Sequence, residues 1–158
     1  RAVARLVGWW DGPPLQVVHL AGSAAVERLS GEAHEAPLPW RVLPFEDRME
    51  LFYAAADLVV SRAGALTVSE LAATGTPAVL VPPSRLGRLN QAANAAHLVQ
   101  VGGAQLLSDD RLVELPRLVA RLAGDAEARG RMASAAAAAA RVEAAAHIAK
   151  VLQEEGGV

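Results

Sequence analysis

Short apolar runs rich in β-branched residues alternate along the chain with longer stretches whose apolar positions recur at helical spacing. The first helical stretch runs from Arg1 to about Trp10 and is closed by Asp11-Gly12-Pro13-Pro14. Leu15 to Leu20 reads as a buried strand ending at Ala21-Gly22, with Ser23 as N-cap of a short helix to Leu29. A polar, proline-bearing stretch from Ser30 to Pro39 leads to a second strand, Trp40 to Phe45. Glu46 to Ala55 has helical spacing, with Met49, Phe52 and Tyr53 on one face. Leu58 to Ser61 is a third strand, Leu66 to Thr74 a helix closed by Gly75, and Ala78 to Val81 a fourth strand. A long loop through Arg88 feeds a helix from about Gln91 to Val101, closed by Gly102-Gly103, and Gln105 to Leu107 is a last short strand. Asp109 and Asp110 open a helical stretch, and Pro116 falls in the first turn of the next helix. Ala126 to Glu155 is a long alanine-rich helix or a helix pair.

Apolar strands separated by helices predict an α/β fold, a Rossmann-like parallel sheet with helices on both faces. No internal repeat breaks the alternation, so residues 1–158 read as one domain. Composition refines this picture. The hydrophobic share of 53% contains 35 alanines, and aromatics make up only 4%. The core must therefore be Val, Leu and Ala, with close helix–sheet packing. With 15 Lys+Arg against 17 Asp+Glu, the chain lacks the basic excess of a bulk nucleic-acid binder. Having no cysteine, it makes no disulfide, thiolate metal site or thiol nucleophile. Its four histidines (His19, His34, His97, His147) show no paired metal spacing, and no G-x-S-x-G elbow occurs.

In an open parallel sheet, ligands bind beyond the carboxyl ends of the strands. Of those ends, Ser61 to Glu70 is the most informative, because it runs from a strand through a small-residue turn into a helix. Gly64 and its flanking alanines let a ligand approach the backbone, where free N–H groups at a helix start favour a diphosphate. Thr67 and Glu70 have capping-box spacing, so Glu70 reads either as a cap or as an acceptor for a ribose diol. The turn lacks the G-x-G-x-x-G pattern of dinucleotide sites. Arg85, Arg88, Asn90, Gln91 and Asn94 are suited to sugar hydroxyls and phosphate oxygens, or else form a solvated loop with Asn90 as N-cap. His19 reads by default as a buried, hydrogen-bonded histidine, and Phe45 as a core residue or an aromatic wall for a base.

These residues resemble the carboxyl-terminal, donor-binding domain of MurG-type glycosyltransferases, which have the GT-B fold. The likeness is densest over Tyr53-Ala54-Ala55-Ala56-Asp57-Leu58-Val59-Val60-Ser61-Arg62-Ala63-Gly64-Ala65-Leu66-Thr67-Val68-Ser69-Glu70-Leu71. It continues through Gly75-Thr76-Pro77-Ala78-Val79-Leu80-Val81-Pro82 and Gln91-Ala92-Ala93-Asn94-Ala95. The resemblance implies an inverting transfer of N-acetylglucosamine from its UDP donor to the lipid-linked muramyl-peptide precursor of peptidoglycan. It implies no cofactor and no metal, the departing UDP being held by helix dipole and backbone amides. Glu70 would take the ribose hydroxyls. Gly64, Ala65 and Leu66 would face the diphosphate, with Arg62 lining the nucleotide site. Phe45 and the backbone of Glu46 would border the uracil. Asn90 and Gln91 would contact the sugar, and His19, Arg88 and Asn94 are further candidates.

By the same resemblance, a glycine-rich phosphate loop, the first strand and an amino-terminal acceptor domain with the general base would precede Arg1. The chain is then one half of a GT-B fold, truncated at its N-terminus and inactive alone. The whole enzyme would be cytoplasmic and peripheral to the inner face of the cell membrane. Before the glutamine, Arg88-Leu89-Asn90 replaces an acidic pair and a histidine usual in the family. Two other readings therefore stand beside the first: another GT-B UDP-sugar transferase or epimerase-like enzyme, and a non-catalytic donor-binding fragment or subunit that requires a partner chain.

Overall fold

The computed structural model describes residues 2–83 and 91–155. Along the chain run α1 (Ala2–Gly8), β1 (Val17–Leu20), α2 (Ser23–His34), β2 (Trp40–Leu43), α3 (Met49–Ala55) and β3 (Val59–Ser61). There follow α4 (Ala65–Thr74), β4 (Ala78–Leu80), α5 (Gln91–Gln100), β5 (Ala104–Leu106) and a 3₁₀ stretch (Asp109–Glu114). Three helices close the series: α6 (Leu115–Gly124), α7 (Ala126–Ala138) and α8 (Ala144–Glu155). The alternation of strands and helices thus matches the sequence pattern, and every strand pairing is parallel.

The sheet, however, is in two parts. β1 pairs with β2, and β3-β4-β5 form a separate three-stranded sheet. If the five strands are numbered two to six of a doubly wound sheet of order 3-2-1-4-5-6, the break falls where that order places strand one. Helices pack around both parts, and one apolar cluster joins them: Leu6, Val7, Leu29, Trp40, Val79, Leu115, Val119 and Leu122 are buried together. β4 is buried on both faces and shows why its run is continuously apolar. Val79 points into this cluster, whereas Ala78 and Leu80 point into a second one with Tyr53, Leu71, Ala95, Leu98 and Ala136.

Small residues set how closely α7 approaches the sheet. A Cβ on Gly103 would stand 2.8 Å from the Cα and 2.9 Å from the amide nitrogen of Ala136, so only glycine fits. Ala136 itself is fully buried. The alanine tract is therefore a packing surface as well as helix-forming sequence.

Several boundaries move. Gly22, at φ 77°, is the N-cap of α2, and the expected cap Ser23 is already helical. The helix runs past Leu29 to His34, supported by the Arg28–Glu32 ion pair and by His34 Nδ1 on the Ser30 carbonyl at 2.7 Å. β2 stops at Leu43, before the proline at 44. The alanine-rich carboxyl end is a helix pair, and Asp125 caps α7 by accepting from the amide of Ala128 at 2.8 Å.

Candidate functional site

β3 ends at Ser61, and a tight turn through Arg62, Ala63 and Gly64 delivers the chain into α4. Ala63 is fully buried and anchors the turn, and α5 braces it, because Asn94 Nδ2 donates to the Ala63 carbonyl at 3.1 Å. The first intrahelical bond runs from the Val68 amide to the Gly64 carbonyl at 2.9 Å. The amides of Ala65, Leu66 and Thr67 precede it and so have no partner within the helix. Gly64 is the N-cap, and among the described residues no side chain caps the helix. That overturns the capping-box reading of Thr67 and Glu70: the helix starts earlier than the spacing suggested, which puts Thr67 at its third position. What remains is an uncapped helix start whose amides and dipole favour an anion.

Gly64 has no conformational reason to be glycine. Its φ is −63°, and among the described residues a Cβ there would meet only Thr67 Oγ1, at 3.7 Å. Room beside the backbone is what glycine adds at this position.

One and a half turns into α4, half-buried Glu70 accepts a hydrogen bond from the Tyr53 hydroxyl at 3.0 Å through Oε2. Tyr53 is 4% exposed and is held on α3. Burial, reinforced by the bond to Glu70, pushes its phenol up to about 12. The sequence named Tyr53 as a helix-face residue and missed it as a site residue. Its available signal was that the chain has a single tyrosine, placed on the same helix face as the apolar Met49 and Phe52.

Other predicted site residues follow the carboxyl ends of the strands. Phe45 follows β2 and is 72% exposed, so it is no core residue. Glu46 Oε1 accepts from the Arg48 amide at 2.9 Å and shapes the loop before α3. Leu66, in the first turn of α4, is 73% exposed, and Arg62 is exposed in the turn. Gln91 is the first residue of α5, and its buried Oε1 has no partner among the described residues. Arg88 and Asn90 lie outside the described residues.

His19, near the carboxyl end of β1, departs from the expected hydrogen-bonded histidine. Its ring stacks on Trp40 with centroids 6.0 Å apart, and its buried Nδ1 has no partner among the described residues. Burial lowers its pKa below the ordinary histidine value.

Residues 2–151 match the family model for the glycosyltransferase family 28 C-terminal domain. The UDP-N-acetylglucosamine–N-acetylmuramyl-(pentapeptide) pyrophosphoryl-undecaprenol N-acetylglucosamine transferase of Methylococcus capsulatus is 39% identical over 160 residues, 99% of this chain and 44% of the relative. The protein of the same name from Mycobacterium tuberculosis is 46% identical over 127 residues, 80% of this chain and 30% of the relative. The crystal structure of Acinetobacter baumannii MurG superposes with a TM-score of 0.87 at 31% identity, covering 96% of this chain and 44% of that one. The glycosyltransferase VinC, solved in complex with dTDP, shares the fold at a TM-score of 0.64 and 16% identity, covering 97% of this chain and 37% of its own. The chain thus spans less than half the length of these curated relatives. With a parallel α/β fold and a match over nearly its full length, the chain belongs to glycosyltransferase family 28, as a C-terminal domain of that family.

Proposed function

We propose that this chain is the donor-binding half of an inverting glycosyltransferase. Its reaction would carry N-acetylglucosamine from UDP-N-acetylglucosamine to the lipid-linked muramyl-peptide precursor of peptidoglycan. The observation that carries the reading is the uncapped start of α4, with Gly64 beside it and Glu70 on the same helix. The amides of Ala65, Leu66 and Thr67 receive the diphosphate, and the helix dipole stabilises the negative charge that builds on the departing UDP. Such a group is worth up to ~2 kcal/mol at a partly buried helix end.

Glu70 takes the ribose hydroxyls, since a carboxylate accepts from two neighbouring hydroxyls at once. The exposed Phe45 and the backbone of Glu46 border the uracil, and Arg62 lines the nucleotide. Gln91 brings an unpartnered buried amide oxygen to the sugar side, with Asn90 and Arg88 beside it in sequence. Asn94 acts by holding Ala63. His19 closes the far end of the rim. The acceptor site and general base belong to a second domain, so these residues by themselves transfer no sugar.

Association with a membrane surface follows from the lipid-linked acceptor. Among the described residues, no helix is long and apolar enough to cross a membrane.

The test is calorimetry with UDP and UDP-N-acetylglucosamine on the longest reading frame that contains these 158 residues. Binding that falls at least tenfold on Glu70→Gln is expected. Equal binding by both proteins overturns the reading. Arg88-Leu89-Asn90, where the family usually carries an acidic pair and a histidine, favours a second reading in which the donor sugar differs. A screen in which another UDP-sugar outcompetes UDP-N-acetylglucosamine selects it.

A further inference from the structure

Glu70 is tied at both of its ends. Its carboxylate accepts from Tyr53, and its main-chain carbonyl accepts from Thr74 Oγ1 at 2.8 Å. Thr74 Oγ1 lies 2.7 Å from Thr76 Oγ1, which donates to the carbonyl of Tyr53 at 3.3 Å. Buried Thr76, just after α4, thus ties α3 to the end of α4 in addition to the side-chain contact.

The direction of the side-chain contact is also set. The Tyr53 hydroxyl donates and Glu70 Oε2 accepts, since a carboxylate has no hydrogen to give. Because burial pushes the phenol up to about 12, Tyr53 stays a donor across the physiological range. Oε2 is occupied in this way, and among the described residues Oε1 has no partner.

We propose that Tyr53 is the positioning residue for Glu70: it fixes one carboxylate oxygen so that the other is presented, already oriented, to a pair of sugar hydroxyls. The proposal rests on the reading of Glu70 as the ribose acceptor. It goes beyond that reading by assigning the orientation of the carboxylate to a buried residue that never meets the ligand. A glutamate held in its binding rotamer loses less freedom when the nucleotide arrives, so the gain appears as affinity for the hydroxyls.

The experiment compares UDP with 2′-deoxy- and 3′-deoxy-UDP by calorimetry, again on the longest reading frame containing these residues. The proteins are the parent, Tyr53→Phe, Glu70→Gln and the double variant, each with its thermal midpoint. The parent is expected to prefer UDP about tenfold over the deoxy nucleotides. In Tyr53→Phe the preference shrinks to about twofold, and the double variant binds no worse than Glu70→Gln alone. A Tyr53→Phe protein that loses stability yet keeps the full preference overturns the positioning role and leaves the ribose reading intact. A parent without preference overturns both. Should Tyr53→Phe fail to fold, Tyr53→Met also removes the hydroxyl and fills the space with a flexible apolar side chain. The same shrunken preference there supports the positioning role, and an unchanged preference overturns it.

Discussion

Asn94 on α5 donates a 3.1 Å hydrogen bond to the carbonyl of Ala63, a fully buried residue 31 positions earlier. The donor belongs to the helix after β4 and the acceptor to the turn after β3, so the bond locks two neighbouring strand ends at the rim. Asn94→Ala leaves that carbonyl without its partner, at a cost of ~1–3 kcal/mol. Urea unfolding should show the loss. UDP affinity should fall with it, because the turn that aims the α4 amides is released.

Gly64 separates ligand room from protein stability. Its φ of −63° suits alanine, and among the described residues a Cβ meets nothing closer than 3.7 Å. Gly64→Ala is expected to leave stability within ~0.5 kcal/mol of the parent. UDP affinity should drop about tenfold or more, since the added methyl stands between helix start and diphosphate. Thermal melts and calorimetry on the same protein check both halves.

Gly103 behaves in the opposite way. Its Cβ would lie 2.8 Å from the backbone of Ala136, which a packed helix cannot yield cheaply. Gly103→Ala should destabilise by ~1–3 kcal/mol through overpacking. The effect on nucleotide binding should be no larger than the stability loss explains.

The single tyrosine makes alkaline titration clean. Its folded-state value of about 12 lies above the ordinary 10, so the native state holds this proton more tightly than the unfolded chain. The resulting stability is fully present below pH 10 and is lost as pH rises from 10 toward 12. Ultraviolet titration should show ionisation near 12 or coincident with unfolding. A phenol that titrates reversibly near 10 in the folded protein would refute the buried hydrogen bond.

α8 is exposed along its length, with Ile148 at 61% and Leu152 at 67%. Removing residues 144–155 should move the thermal midpoint by less than ~2 °C, because little apolar area is uncovered. A large drop would mean that the helix packs on the domain.

The sequence alone determined the order of the elements, their parallel sense and the turn at Ser61–Glu70. Each of these rests on local periodicity and on turn residues within reach of one another along the chain. Tertiary structure decided what no short window contains. Whether Glu70 belongs to a capping box depended on where α4 begins, beside the buried Ala63 and its bond to Asn94. Phe45 left the expected core because β2 ends two residues earlier, and no packed neighbour covers the ring. His19 stacks on Trp40, which reached it only through strand pairing. Tyr53 and Glu70 are 17 residues apart, and only the packing of α3 against α4 brings the hydroxyl to the carboxylate. Spacing along the chain singled out Glu70; the fold chose which of its oxygens is spent inside the protein.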